Sequence, residues 1–122
     1  MLEALKSYIE SLGYNHVFRD YLPAPEKGVD AIVLNEWSYS VPSIGGDVGT
    51  HYVQVIVRRS TYDEAKADAY ALCSALNSGE NEKLFNLSQE IDAVITTRRG
   101  AILYARDDTP SVSFYFEIAL WG

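Results

Sequence analysis

The sequence predicts an α+β domain: a mostly antiparallel sheet of four to six strands with two main helices packed on one face. Three patterns carry that expectation. Leu2, Leu5, Ile9 and Leu12 recur at helical spacing, which places them on one stripe of an amphipathic helix. Val53, Val55 and Val57 alternate with Tyr52, Gln54, Ile56 and Arg58, and that strand leads into the alanine-rich stretch TYDEAKADAYALCSAL. Near the end, Val112, Phe114, Phe116, Ile118 and Leu120 alternate with Ser113, Tyr115, Glu117 and Ala119, so a closing strand presents one wholly apolar face. Apolar stripes on helices and apolar faces on strands are buried most simply against each other.

Taken in order, the first helix is expected to stop at Gly13, which can adopt the left-handed cap conformation. HVFRDYL, residues 16–22, alternates and reads as a strand ending before Pro23 and Pro25. PAPEKGVD is a loop, and AIVLNEWSYS, residues 31–40, is the next strand. VPSIGGDVGTH carries three glycines and reads as a flexible hairpin connection or a projecting arm. Within it Ile44, Gly45, Gly46, Asp47, Val48 and Gly49 form a candidate partner-binding loop.

The strand YVQVIVRR follows, and Thr61 and Glu64 then stand in capping-box spacing at the start of the central helix. Ala65, Ala67, Ala69, Ala71 and Ala75 leave that helix slim on two sides, so a sheet or a neighbouring subunit can approach it closely. Asn77, Ser78 and Gly79 form a stop signal, and NEKLFNLS is expected to supply a short helical turn. AVITT reads as a strand, RRG as a turn, AILYARD as a strand, and DDTPS as a tight turn before SVSFYFEIALW.

At 122 residues the chain is expected to be one domain spanning 1–122, large enough to bury roughly two-thirds of its unfolded surface without a disulfide or a metal. Cys73 has no second cysteine to pair with and sits where a small buried apolar residue suits the helix. A net charge of −7 without a basic stripe argues against binding nucleic acid. No run approaches the ~18–20 apolar residues of a membrane span, and charges interrupt the N-terminal segment where a secretory signal would be apolar. The expectation is a cytoplasmic protein at synthesis. Tyrosine occurs nine times, and tyrosine is enriched at protein interfaces for its large rigid body and polar tip.

Site chemistry finds little support. IGGDVGTH resembles a phosphate loop only superficially, because that motif needs Lys followed by Ser or Thr opening a helix, and here Thr50 and His51 open a strand. His16 and His51 lie far apart and in no metal-ligand spacing. Asp107 and Asp108 precede Thr109 and Pro110 in a turn that favours aspartate for local hydrogen bonds. No serine has a G-x-S-x-G context. The chain is therefore expected to be no enzyme, with no cofactor, no metal and no catalytic residue. Two arginine pairs remain, Arg58 with Arg59 and Arg98 with Arg99. They are either solvated strand ends and turns or a candidate oligomer interface in which an arginine fork meets carboxylates of the next subunit.

The order of elements, with VQVIVRRSTYDEAKADAYALCSAL and the closing ILYARDDTPSVSFYFEIAL, resembles the small minor capsid proteins of tailed bacteriophages and their prophages. Within them it resembles the tail-terminator, or tail-completion, group over nearly the whole chain. That resemblance implies a structural protein that forms a ring, commonly a hexamer, on the completed tail tube, ends tube polymerisation and offers a surface to the head. It implies as partners other copies of the chain, the tail tube protein and the head–tail connector proteins, with assembly in the bacterial cytoplasm and residence in the virion. It supplies no catalytic residue. Two alternatives stand beside it: a head-completion or neck protein, and a small cytoplasmic α+β ligand-binding domain or enzyme with tyrosines, Trp37 and histidine around a pocket. A closed apolar cavity would favour the latter, and flat aromatic patches would favour assembly.

Overall fold

Period-two alternation builds the middle of the molecule, and the two helices close over the apolar side it creates. A computed structural model describes residues 2–24, 29–40, 49–77, 84–88, 91–107 and 111–121. The elements run α1 (Leu2–Ser11), β1 (Val17–Arg19), β2 (Ala31–Ser40), β3 (Thr50–Arg59), α2 (Tyr62–Ala75), β4 (Leu84–Ser88), β5 (Ile91–Asp107) and β6 (Ser111–Trp121). They form a six-stranded sheet in the order β1-β2-β3-β6-β5-β4. The β1–β2 pair is parallel and the other four pairings are antiparallel, so the six-stranded sheet is mostly antiparallel, as expected, and mixed only at its β1 edge.

The last strand in the chain is central in the sheet. Val112, Phe114, Phe116, Ile118 and Leu120 of β6 join Val53, Val55 and Val57 of β3 in the core, as their alternation predicts. Leu5 and Ile9 of α1, and Ala65, Ala69 and Leu72 of α2, cover this face. Because α2 meets the sheet largely through Ala65 and Ala69, its axis can lie close to β3, β5 and β6, with Leu72 filling the gap and Tyr62 and Cys73 packing at its margin. The opposite face of the sheet carries no helix among the described residues. Its strands turn Tyr52, Gln54, Tyr115 and Glu117 outward, each half-buried.

Helix ends follow the local chemistry. Gly13 takes φ +101 after α1, the left-handed conformation expected of it. Thr61 caps α2, its hydroxyl accepting from the Glu64 amide at 3.2 Å. The Glu64 carboxylate accepts instead from the Ser60 hydroxyl at 3.4 Å.

Three expectations are corrected. The strand read at 16–22 is only Val17–Arg19, because His16 and Asp20 adopt φ 59 and φ 57 and turn the chain out of the sheet on either side. The segment read as a helical turn contains β4, with Phe85 and Leu87 buried on one side of exposed Asn86. Alternation there outweighs helical propensity because Phe85 completes the core beside Tyr8, their rings 5.7 Å apart. The turn read at RRG is no turn: β5 runs through it as one strand of 17 residues with register shifts at Thr97/Arg99, Arg99/Ile102 and Leu103/Ala105. β6 offers an uninterrupted partner, so the surplus residues are taken up as bulges.

Most of the glycine-rich loop, Ile44 to Val48, and residues 108–110 of the expected DDTPS turn lie outside the described residues. Gly49 is described and buried.

Candidate functional site

The bulges decide what the helix-free face displays. The irregularity between Glu36 and Ser38 sets Trp37 of β2 against Tyr52 of β3, ring centroids 5.4 Å apart. The shift between Thr97 and Arg99 in β5 brings the Arg98 guanidinium over the other part of this cluster, 4.7 Å from the Tyr52 ring centroid. A cation above an aromatic face is held by the ring quadrupole. One residue on, Arg99 donates to the Tyr115 hydroxyl at 3.2 Å and lies 3.6 Å from the Glu117 carboxylate. Tyr104 then meets the Tyr115 ring edge-on at 5.3 Å. The result is a band of aromatic rings and arginines across β2, β3, β6 and β5.

Much of this band is in contact with solvent. Trp37 is 52 % exposed and Tyr104 49 %, large apolar surfaces left uncovered where a monomer usually exposes few together. Beside Arg98 a shallow depression of about 430 Å³ is lined by Thr50, Tyr52, Thr96, Arg98 and Ala119. No carboxylate among the described residues pairs with Arg98.

The helical side has the opposite character. α1 and α2 carry Glu3, Glu10, Asp63, Glu64 and Asp68 against Lys6 and Lys66. Lys66 lies over the Tyr62 and Tyr70 rings at 5.7 and 5.6 Å. Asp63 and Glu64 sit exposed in the first turn of α2, where the helix dipole favours negative charge.

The four arginines named from sequence separate into two kinds. Arg58 is buried, its Nε donating to the Val29 carbonyl at 2.6 Å. Arg59 is nearly so, donating to Asp68 Oδ2 at 2.7 Å and to the Arg58 carbonyl at 3.0 Å. Both therefore hold the subunit together and present no fork to a neighbour. Arg98 and Arg99 are at the surface. Of the aromatic members of the band, Trp37 was named from sequence only for a small-molecule pocket, and Tyr52, Tyr104 and Tyr115 were not picked out from the nine tyrosines as a cluster. Their signal was present in the outward positions of three alternating strands, but the bulges that bring Trp37 and Arg98 to them have no sequence signature.

Elsewhere, His51 pairs with Glu36 and packs against Tyr39, the rings tilted with centroids 4.6 Å apart. A groove of about 550 Å³ is lined by His16, Phe18, Tyr21, Pro23, Val29, Asp30 and Ser60, and Trp37 is not part of it. Cys73 is half-buried, its Sγ 3.8 Å from the Thr97 hydroxyl. Among the described residues no three of His, Cys, Asp and Glu gather as a metal-ligand set, and no helix is long and apolar enough to cross a membrane.

No protein-family model and no curated protein matches the sequence. Among solved structures, a chain from the virion of a native gene transfer agent particle shares the fold. The likeness covers 98 % of this chain and 89 % of that one, with a TM-score of 0.62 and 15 % sequence identity.

Proposed function

We propose that the chain is a structural virion protein of a phage-like particle, and more finely a tail terminator. The observation that carries the first half is the likeness to a virion chain along 98 % of the length. At 15 % identity the likeness is one of fold, so the finer role rests on the surfaces. A terminator must bind its own copies and the end of a tube, and it must differ on its two sides so that growth cannot continue. This subunit has an aromatic, arginine-bearing face and an acidic, helical face, and a contact between unlike surfaces is heterologous and closes into a ring when successive rotations complete a turn. The proposed assembly is a ring, a hexamer in the terminator reading, that meets tail tube protein on one side and connector proteins on the other. The exposure of Trp37, outside the groove lined by His16 and Phe18, favours assembly over a small-molecule pocket.

Tube growth in vitro tests this. Tail tube protein polymerising in the presence of the purified chain should stop elongating at substoichiometric amounts, with the chain at tube ends under the electron microscope. Tubes that lengthen at the same rate with the chain present would remove the terminator role. Binding to purified connector but not to tube ends would favour the neck protein.

A further inference from the structure

We propose that the helix-free face of one copy, through Trp37, Tyr52 and Arg98, docks on the acidic outer face of α2 of a second copy, through Asp63, Glu64, Ala67 and Ala71. The docking deepens the ring reading above and rests on it. Charge complementarity selects the occupant. Arg98 is exposed, its guanidinium held above the Tyr52 ring, with no carboxylate partner among the described residues. Asp63 and Glu64 are exposed carboxylates with no cation paired to them among the described residues. A chain at −7 repels its own copies, so a stable contact between them must set its few surface arginines against such carboxylates.

Shape agrees with charge. The residues of α2 that face away from the core include Asp63, Glu64, Ala67, Tyr70, Ala71 and Ser74. One turn beyond the carboxylates Ala67 and Ala71 present only methyl groups, beside the exposed Tyr70 ring, so the Trp37 indole can approach the helix backbone there and pack against Tyr70. Trp37 is 52 % exposed, while the depression beside Arg98 admits a carboxylate side chain from the first turn of the helix. Arginine and tryptophan in such a setting are the residue types that dominate binding at interfaces. The two surfaces lie on opposite layers of the subunit, so each copy can engage two neighbours at once.

The test is sedimentation velocity of the purified full chain over a concentration series, for wild type, Arg98→Glu, the pair Asp63→Arg with Glu64→Arg, and all three changes together. Wild type should form a discrete oligomer. Arg98→Glu and the α2 pair should each weaken association by at least about tenfold, and the triple variant should recover most of it. Ala71→Trp, which changes no charge, should weaken it as well by blocking the approach to the helix. Circular dichroism and thermal melts establish that each variant is folded. Arg98→Glu associating as wild type does, a triple variant no better than its parents, or a wild type that stays monomeric would each overturn the docking. Antibody labelling of purified particles reads the ring reading separately: label at the tail end with unimpaired Arg98→Glu association removes only the docking, and label absent from the tail end removes the ring reading itself.

Discussion

Arg59 donates its Nε–H to Asp68 Oδ2 across 2.7 Å, tying the last residue of β3 to the second turn of α2. The partners are unequally buried, with the Arg59 side chain 11 % exposed and that of Asp68 40 %. Removing either one therefore has a different cost. Asp68→Ala leaves a cation almost out of water without its counter-charge and should destabilise the fold by about 2–4 kcal/mol. Arg59→Met leaves a carboxylate that water can reach and should cost about 1–2 kcal/mol. Urea unfolding of both variants measures the difference, and the reverse order would mean the pair is not what holds β3 to α2.

Tyr14 lies in the field of the same pair. Burial first, and then the Asp68 carboxylate, push its phenol above the usual tyrosine value, with Arg59 opposing. A raised value in the folded state means the folded chain holds this proton more tightly than the unfolded chain. Its contribution to stability is therefore complete below the unfolded value near 10 and is lost as pH rises through the folded value. Stability measured by urea from pH 8 to 11 should fall less steeply for Tyr14→Phe than for wild type. Parallel curves would show that Tyr14 carries no such linkage.

A methyl group added at Gly49 would run into the Tyr39 phenol, which lies over the Gly49 backbone. The ring is half-exposed and can swing, so Gly49→Ala should cost only about 1 kcal/mol while lifting Tyr39 off His51. With Tyr39→Ala already in place, Gly49→Ala should cost almost nothing. A double-mutant cycle gives the coupling, and a Gly49→Ala penalty unchanged by Tyr39→Ala would place the strain elsewhere.

Phe116 is fully buried on the central strand, whereas Ile102 is 42 % exposed on the helix-free face. Phe116→Ala should cost about 3–5 kcal/mol, and Ile102→Ser should stay within about 0.5 kcal/mol. Chemical denaturation of the two side by side checks this. A large loss at Ile102 would mean the helix-free face is already packed within the monomer.

Legibility followed periodicity. The alternation in β6 and β3 names the residues that both strands give to the cluster under the helices, because Val53, Val55 and Val57 and the whole inward side of β6 are apolar; Ile56 and Ala119, expected on the other face, are buried there as well. Leu5, Ile9 and Gly13 placed α1 as well, while Leu12, the last member of the expected stripe, falls just past the helix and is 42 % exposed. What failed was short or irregular. β4 offers only Phe85 and Leu87 as alternating apolar residues, too few to separate a strand from a turn, and its pairing with β5 comes from the tertiary fold. Arg98, Arg99 and Gly100 have the composition of a turn, yet β6 continues opposite them, and a partner strand outweighs local propensity. For the same reason the arginine pairs could not be sorted. Burial of Arg58 and Arg59 depends on Val29 and Asp68 arriving from 29 and 9 residues away, while the aromatic setting of Arg98 depends on a bulge.

The most direct measurement of the terminator role is the length distribution of tails in particles made without this chain. Lysates from a host whose phage or prophage lacks the gene, imaged by electron microscopy beside wild type, should contain tubes that are longer and widely spread in length, with few joined to heads. Wild-type tails should show one narrow length. Tubes of normal, uniform length in the absence of the chain would contradict the terminator role, and such tubes left unjoined to filled heads would assign it to the neck instead.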